Sequence, residues 1–417
     1  MREVLSSLDI GSSKIKLVVA EILNGNTNIL CALDEPSRGV KKGEIVNPDE
    51  VEYAIKKILK RAEENLGIKI NKLLISVSEN ACEFSIGEAQ IDITEDGEVT
   101  STGIQKIIQQ SVKGNVPQGN EIVTIIPIKY KVDDITVPNP KGAKGTSLQV
   151  KTVIVTVPKR DIYVIAKVLE KCGCEVVDVM TPSIGSFYAN KDYLLSKSES
   201  LVNDNTGVII DIGSDTINIG VINKGIIVNN KVLQIGGNLV EQDIAFIYKL
   251  DVEKAKELKE KFALANKRNA NPKTNMEVVN TLGEKVVINQ YEVTEVVMSR
   301  LHEILNMAKN EINYLTKKEI SYIIITGGLS EFKGFTYEVE SVFGPLAKIG
   351  KINIVGVRDN KYACSVGMIK YFDEKLKLRD REYSMFNQEE LETLSGNGKN
   401  KNNGSVINKV FGIFFDN

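Results

Sequence analysis

Apolar and polar positions alternate in a way that divides the chain into strands meeting sharp polar turns, amphipathic helices, and a polar C-terminal stretch with an apolar end. Near the start, Val4 to Leu8 runs into a Gly/Ser turn and returns through Ile15 to Val19, which predicts a β-hairpin. A second hairpin is predicted where Val208 to Ile210 approaches a Gly/Ser/Asp turn and Ile217 to Ile222 returns. Tyr322 to Ile325 has the composition of a buried strand and ends at Thr326-Gly327-Gly328, ahead of a helical segment. Asn289 to Thr316 carries Val293, Val296, Val297, Leu301, Leu305, Ala308 and Ile312 at core-like helical spacing, leaving Arg300 and Glu303 outward. At the far end, Ser405 can cap a short helix on which Val406, Ile407, Val410, Phe411, Ile413 and Phe414, with Phe415 adjoining, form an apolar face.

The two hairpins match each other. Leu8-Asp9-Ile10-Gly11-Ser12-Ser13-Lys14-Ile15-Lys16-Leu17 corresponds position by position to Ile210-Asp211-Ile212-Gly213-Ser214-Asp215-Thr216-Ile217-Asn218-Ile219. A Gly-Ser turn exposes backbone N–H groups to an anion, and an Asp at a strand end can hold a hydrated divalent cation. Two such turns facing each other could clamp a polyphosphate. Paired glycines at 327 and 328 would let backbone approach a base or ribose closely.

Length and composition narrow the class. A chain of 417 residues exceeds one ordinary core, so several lobes are expected. A hydrophobic fraction of 42% with 26% charged residues and a net charge of −2 argues against a disordered chain and against a nucleic-acid binder. No apolar run suits a signal core or a bilayer span, so a cytoplasmic location is expected. Cys31, Cys82, Cys172, Cys174 and Cys364 suit reduced thiols better than a disulfide framework. With His302 the sole histidine, histidine-based nucleophilic catalysis and a Cys172/Cys174 zinc site are both disfavoured.

Two phosphate-type hairpins followed by a Gly-Gly strand end, in this order, resemble the actin superfamily, and within it the FtsA family of bacterial cell division proteins. The resemblance continues through Gly236-Gly237-Asn238, Asp243-Ile244-Ala245, Ala255-Lys256-Glu257-Leu258-Lys259 and Tyr362-Ala363-Cys364-Ser365-Val366-Gly367. It implies an α/β, actin-like (ribonuclease H-like) duplicated two-lobe fold with an FtsA-type inserted subdomain, a flexible linker and a C-terminal amphipathic helix. The implied division is 1–82 with 158–204 (subdomain IA), 83–157 (inserted IC, for self-association), 205–236 with 320–378 (IIA), 237–319 (IIB), a linker at 379–404 and a membrane-targeting helix at 405–417. The insert should contain alternating strands and a helix near Thr102 to Val112.

By the same resemblance, ATP and Mg²⁺ are the cofactors. The implied nucleotide set is Asp9, Gly11, Ser12, Ser13, Lys14, Asp211, Gly213, Ser214, Asp215, Thr216, Gly237, Asn238, Lys256, Lys259, Gly327 and Gly328. Within it, Asp9 and Asp211 order magnesium through water, and Lys256 and Lys259 close over the nucleoside. Three departures point to slow or no turnover, at most a weak ATPase: Asp215 stands beside the presumed phosphates, Asn218 replaces an acidic residue common in the family, and Thr181-Pro182 stands where relatives often carry Gln-Pro or Glu-Pro. Implied partners are the C-terminal peptide of FtsZ, met by Arg300 and Glu303, a second copy in a filament, the membrane surface through the 405–417 helix, and other divisome proteins. The implied location is the cytoplasmic side of the membrane at the division site. Two other readings remain open: a PilM-like pilus-assembly adaptor that binds a peptide from a membrane protein, and a small-molecule kinase of the same superfamily.

Overall fold

The computed structural model describes residues 3–93, 97–379 and 381–394. The expected membrane-facing residues Val406, Ile407, Val410, Phe411, Ile413, Phe414 and Phe415 lie outside them.

The first hairpin forms as predicted. Strand β1 (Glu3–Ile10) pairs antiparallel with β2 (Lys14–Leu23), which continues into β3 (Asn26–Pro36). A two-residue strand pair follows, β4 (Val40–Lys41) and β5 (Glu44–Ile45). Its turn, Lys42-Gly43, has φ of 51° and 78°, the left-handed pair that a tight hairpin favours. Helix α1 (Pro48–Leu66) begins where the Asn47 side chain accepts from the Glu50 N–H and proline occupies the first turn; it stops at left-handed Gly67. Its buried face is Val51, Ala54, Ile55, Ile58, Leu59, Ala62 and Leu66. Strand β6 (Lys72–Ser76) then lies parallel to β1.

The chain next leaves this sheet for a separate one built from β7 (Glu83–Asp92), β8 (Asn120–Val132), β9 (Ile135–Val137) and β10 (Ser147–Pro158), in the order β7-β10-β8-β9. Helix α2 (Ser101–Ser111) lies against it over a small core of Val99, Ile107, Val132, Leu148 and Val150. Helix α3 (Lys159–Lys171) and β11 (Glu175–Met180) return to the first sheet, whose order becomes β11-β6-β1-β2-β3.

Helix α4 (Pro182–Leu195) and the short α5 (Glu199–Asn203) lead to the second lobe. There β12 (Thr206–Ile212), β13 (Ile217–Asn223) and β14 (Ile226–Leu233) repeat the pattern of β1–β3. Helices α6 (Asn238–Tyr248) and α7 (Val252–Lys261), the hairpin β15 (Asn275–Val279) with β16 (Lys285–Asn289), and α8 (Gln290–Leu315) follow. Strand β17 (Tyr322–Thr326), α9 (Phe335–Phe343) and β18 (Ala347–Ile349) complete a sheet ordered β14-β13-β12-β17-β18. Read from its hairpin edge, this is the first sheet's order again, with an antiparallel hairpin followed by two parallel strands. The sequence repeat is therefore a repeat of topology; one core fills the first lobe and extends onto one face of the second sheet through Ile209, Ile222 and Ile324, and a second core lies on that sheet's other face.

Helix α10 (Ala363–Lys377) crosses α4 where the chain passes between lobes. The crossing is tight because glycine stands on both sides: a Cβ on Gly367 would fall 1.6 Å from the Gly185 carbonyl oxygen. Alanine there would separate the helices on which the lobes hinge.

The linker expected from 379 differs in its first half. Residues 381–394, including α11 (Gln388–Leu394), pack on the first lobe, burying Met385, Phe386, Leu391 and Leu394. The Met385 N–H donates to the Val4 carbonyl at 3.0 Å, and the Phe372 and Tyr383 rings meet edge to face. A few apolar side chains in a polar stretch are enough to dock it once a matching surface exists. Among the described residues no helix is long and apolar enough to cross a membrane.

Candidate site in the cleft between the lobes

The ends of β1 and β12 point into a cleft of about 460 Å³ between the lobes. The two repeated turns face each other across it, and the Gly327-Gly328 strand end forms a third wall. All of the expected nucleotide-site residues line this cleft except Asp215 and Asn238.

At the first turn, the Gly11 N–H closes on the Lys14 carbonyl at 3.1 Å; at the second, Gly213 closes on Thr216 at 2.9 Å. The turns are thus the same local structure. The small β4–β5 turn spans them: the Gly43 N–H donates to Ser12 Oγ at 3.1 Å and the Lys42 N–H to Asp215 Oδ2 at 3.2 Å. The Asn238 amide donates to the other Asp215 oxygen. Asp215 therefore does not press a carboxylate on the phosphate seat, as its neighbours in sequence suggest; it turns away to bridge the lobes.

Gly327 has φ 92°, and a Cβ there would lie 2.4 Å from Asp211 Oδ1, so glycine is required for this strand end to close over Asp211. The two lysines of α7 part company. Lys256 reaches across the cleft, its Nζ 3.4 Å from Ser13 Oγ, whereas Lys259 is buried and ion-paired with Glu241 at 2.5 Å. Lys14 pairs with Asp34, which Lys361 also approaches at 3.2 Å. Burial pushes the Asp34 carboxyl up, but Lys14 and Lys361 together bring it down to about 2.

The floor holds the residue that the sequence reading passed over. Lys16 stands directly across the β1–β2 ladder from Asp9, with Nζ 2.7 Å from Asp9 Oδ2; Ser76 donates to Oδ1 at 2.8 Å. Burial pushes the Asp9 carboxyl up, yet the Lys16 ammonium and the Ser76 hydroxyl hold it below its usual range. Burial likewise opposes the charge on Lys16, and Asp9 outweighs it, keeping the ammonium above its usual value. Asp211 has Asn218 opposite it instead. Burial raises its carboxyl to about 6, against the hydrogen bond from Ser186 and the more distant Lys16, with Asp9 and Glu79 adding to the rise. Burial also pushes the nearby Cys364 thiol far up, leaving it a neutral wall of the cleft.

Among the described residues Asp9 is not part of a set of side chains that could ligate a metal directly. Each of its oxygens accepts one bond, from Lys16 and from Ser76, which leaves acceptor sites for water; among the described residues no group of three or more His, Cys, Asp or Glu side chains could hold a metal ion directly. The expected role of Asp9 and Asp211 is to order magnesium through water; in the structure Asp9 is also ion-paired with Lys16. The cleft suits a polyanion with an attached ring system: backbone turns, the Lys256 ammonium and a glycine wall.

Near Thr181-Pro182 a carboxylate does reach the cleft, contributed by Glu79. Its two oxygens accept from the Ser183 N–H at 2.9 Å and the Ser183 hydroxyl at 2.6 Å, so it caps α4 while keeping one acceptor site on each oxygen.

Away from the cleft, Arg300 is held to Asp243 of α6 by two bonds of 2.5 and 2.8 Å and to Glu303 by one of 2.7 Å. One turn further along α6, Phe246 is 86% exposed and Ile247 51%. The charged pair and this apolar step form one surface of the second lobe.

The chain matches a family model described as "Cell division protein FtsA" over residues 208–367 and one described as "SHS2 domain inserted in FTSA" over residues 81–156. A cell division protein FtsA of Bacillus subtilis (strain 168) is 27% identical over 387 residues, covering 91% of this chain and 86% of that protein. Among solved structures, a PilM-PilN type IV pilus biogenesis complex matches with TM-score 0.58 at 14% identity, over 87% of this chain and 97% of that one. MreB5 of Spiroplasma citri bound to ADP matches with TM-score 0.55 at 13% identity, over 90% and 97%. At such identities the structural likeness shows the fold alone, which is the actin-like one.

Proposed function

Since the chain belongs to the FtsA family of actin-like cell division proteins, we propose that it is an ATP-binding adaptor which polymerises and tethers FtsZ filaments to the inner face of the cytoplasmic membrane. The observation that carries the nucleotide half is the pair of like turns facing one cleft, closed by Gly327 over Asp211. The triphosphate lies between the turns, with Lys256 beside it and the nucleoside against Gly327 and Gly328. Turnover is slow or absent, because Thr181 offers no carboxylate or amide to position the attacking water. Binding then serves as a conformational and polymerisation switch across the α4–α10 crossing.

The adaptor half rests on two surfaces. The Asp243–Arg300–Glu303 cluster beside exposed Phe246 and Ile247 suits an extended peptide with apolar and charged anchors, and the FtsZ C-terminal peptide is the proposed occupant. The inserted sheet, with Ile86 and Ile135 exposed, is the proposed contact with a second copy. The 405–417 segment is the proposed lipid anchor, reversible as a single short helix and strengthened when a filament presents many. Recruitment of later divisome proteins completes the reading.

The test is co-sedimentation of FtsZ with lipid vesicles. FtsZ should pellet only when this chain and ATP are both present, and Phe411→Glu/Phe414→Glu or Arg300→Glu should each abolish it. Pelleting of the chain without FtsZ, whatever the nucleotide, would sink the adaptor and favour a PilM-like role.

A further inference from the structure

We propose that Glu79 holds the water that attacks the terminal phosphate of bound ATP, so that what turnover the site has runs through a carboxylate from the end of β6 rather than from the start of α4. The proposal rests on the ATP-site reading above and adds to it a side chain that reaches the reacting atoms.

Register places the carboxylate. Strands β6 and β11 run parallel with Ser76 opposite Met180, and the Val77 N–H, donating to the Met180 carbonyl at 3.0 Å, carries the pairing one step further. The chain leaves both strands at the same end, so Glu79, which follows Ser76 in the turn, meets Ser183 at the start of α4. The same short segment runs along the cleft from its floor to its turns. Ser76 donates to Asp9. A Cβ on Gly43 would lie 3.3 Å from Ser78 Oγ and 3.7 Å from a Thr216 side-chain carbon, so the residue before Glu79 sits at the β4–β5 turn, beside the second phosphate-type turn. Glu79 itself lines the cleft although it is only 3% exposed.

Chemistry assigns the role. The first N–H groups of a helix are ordinarily capped by the residue at its start, yet the Thr181 side chain makes no cap bond and Glu79 accepts the Ser183 N–H in its place. The Thr181 hydroxyl is thereby left fully buried with no partner among the described residues. Buried polar groups without a protein partner are where proteins commonly bind a water. Glu79 keeps one acceptor site on each oxygen, so a water can donate to it while its own lone pair turns to the phosphate. Hydrolysis then balances with no further side chain. The water oxygen bonds to the terminal phosphorus, and the bond from that phosphorus to the bridging oxygen breaks, its electron pair leaving on ADP. One proton stays on the new phosphate, and the other passes to Glu79 and on to solvent.

The experiment is phosphate release from ATP by the full chain in Mg²⁺, read beside the equilibrium Kd for ATP and the Tm. The unaltered chain should release phosphate slowly and measurably. Glu79→Gln can still accept from the Ser183 N–H and donate to its hydroxyl, so it should keep the Kd within about threefold and lower kcat by at least about tenfold. If Glu79→Gln fails to fold, Glu79→Asp keeps the charge but withdraws it by one methylene, and it should show the same split between kcat and Kd. A fall in Tm with kcat retained, in either variant, would reduce Glu79 to a helix cap and overturn the proposal. ATP binding by the unaltered chain without phosphate release would also overturn it and leave the nucleotide site standing. Absence of ATP binding would remove the ATP site itself, and the proposal with it.

Discussion

The two phosphate-type hairpins differ more in charge than in shape. Both close the same turn with the same hydrogen bond, and both carry Asp as the last residue but one of the strand that leads into it. Across the ladder, however, Asp9 meets Lys16 and Asp211 meets Asn218. One carboxylate is thereby fixed as an anion, and the other is raised to about 6 by burial. A duplicated backbone thus holds two electrostatically unlike halves, and a single cross-strand residue accounts for the difference.

Removing the cation should have the largest effect. Lys16→Met leaves a buried carboxylate unpaired and should cost about 3–5 kcal/mol of stability, while Asn218→Ala at the matching position should stay within about 1 kcal/mol; denaturant midpoints of the nucleotide-free chain read both. Next comes the pH dependence of Asp211. Its folded-state value lies above the ordinary 3.8, so its contribution favours the native state below that value and is lost as pH rises through about 6. Asp211→Asn should therefore be more stable than the unaltered chain by roughly 2–3 kcal/mol above pH 7, and the gain should disappear as pH falls to about 4. Asp9→Asn should show the opposite sign, because a carboxylate held low contributes most above its ordinary value and loses that contribution as pH falls. Copying the first hairpin into the second with Asn218→Lys should bring the Asp211 titration down towards the ordinary range and add about 1 kcal/mol, which NMR titration of the carboxyl would follow. The smallest effect is expected for Asp215→Ala, which gives up the Lys42 and Asn238 bonds for about 0.5–1 kcal/mol, visible as a small fall in Tm.

The repeat was legible because turn chemistry is local: Gly-Ser after an apolar strand has few alternatives. Helix α8 was legible because Val293 to Ile312 keeps one face over many turns, and its limits fall one residue inside the expected span. Lys16 was not, since Ile15-Lys16-Leu17 reads as ordinary alternation with the lysine towards water. Counting pairs back from the turn would have placed it opposite Asp9, and that signal was available. Glu79 carried no such signal: its meeting with Ser183 is a contact between distant segments, fixed only when β6 and α4 come together. The docked 381–394 stretch failed for a related reason. Met385, Phe386, Leu391 and Leu394 are too few to define a periodic face, and the first-lobe core that receives them, with β1 under Met385, is far away in sequence.

That docking also sets a route for mechanical load. A pull on the chain beyond Leu394 would reach the first lobe through the docked 381–394 stretch, whose contacts include Met385 on Val4 of β1, the strand that carries Asp9 and leads into the first turn. Tension on the tail would be felt first by the lobe that carries the lysine, and the other lobe would receive it only across the α4–α10 crossing. The cleft between the lobes would then lie in series with whatever the chain beyond Leu394 is attached to.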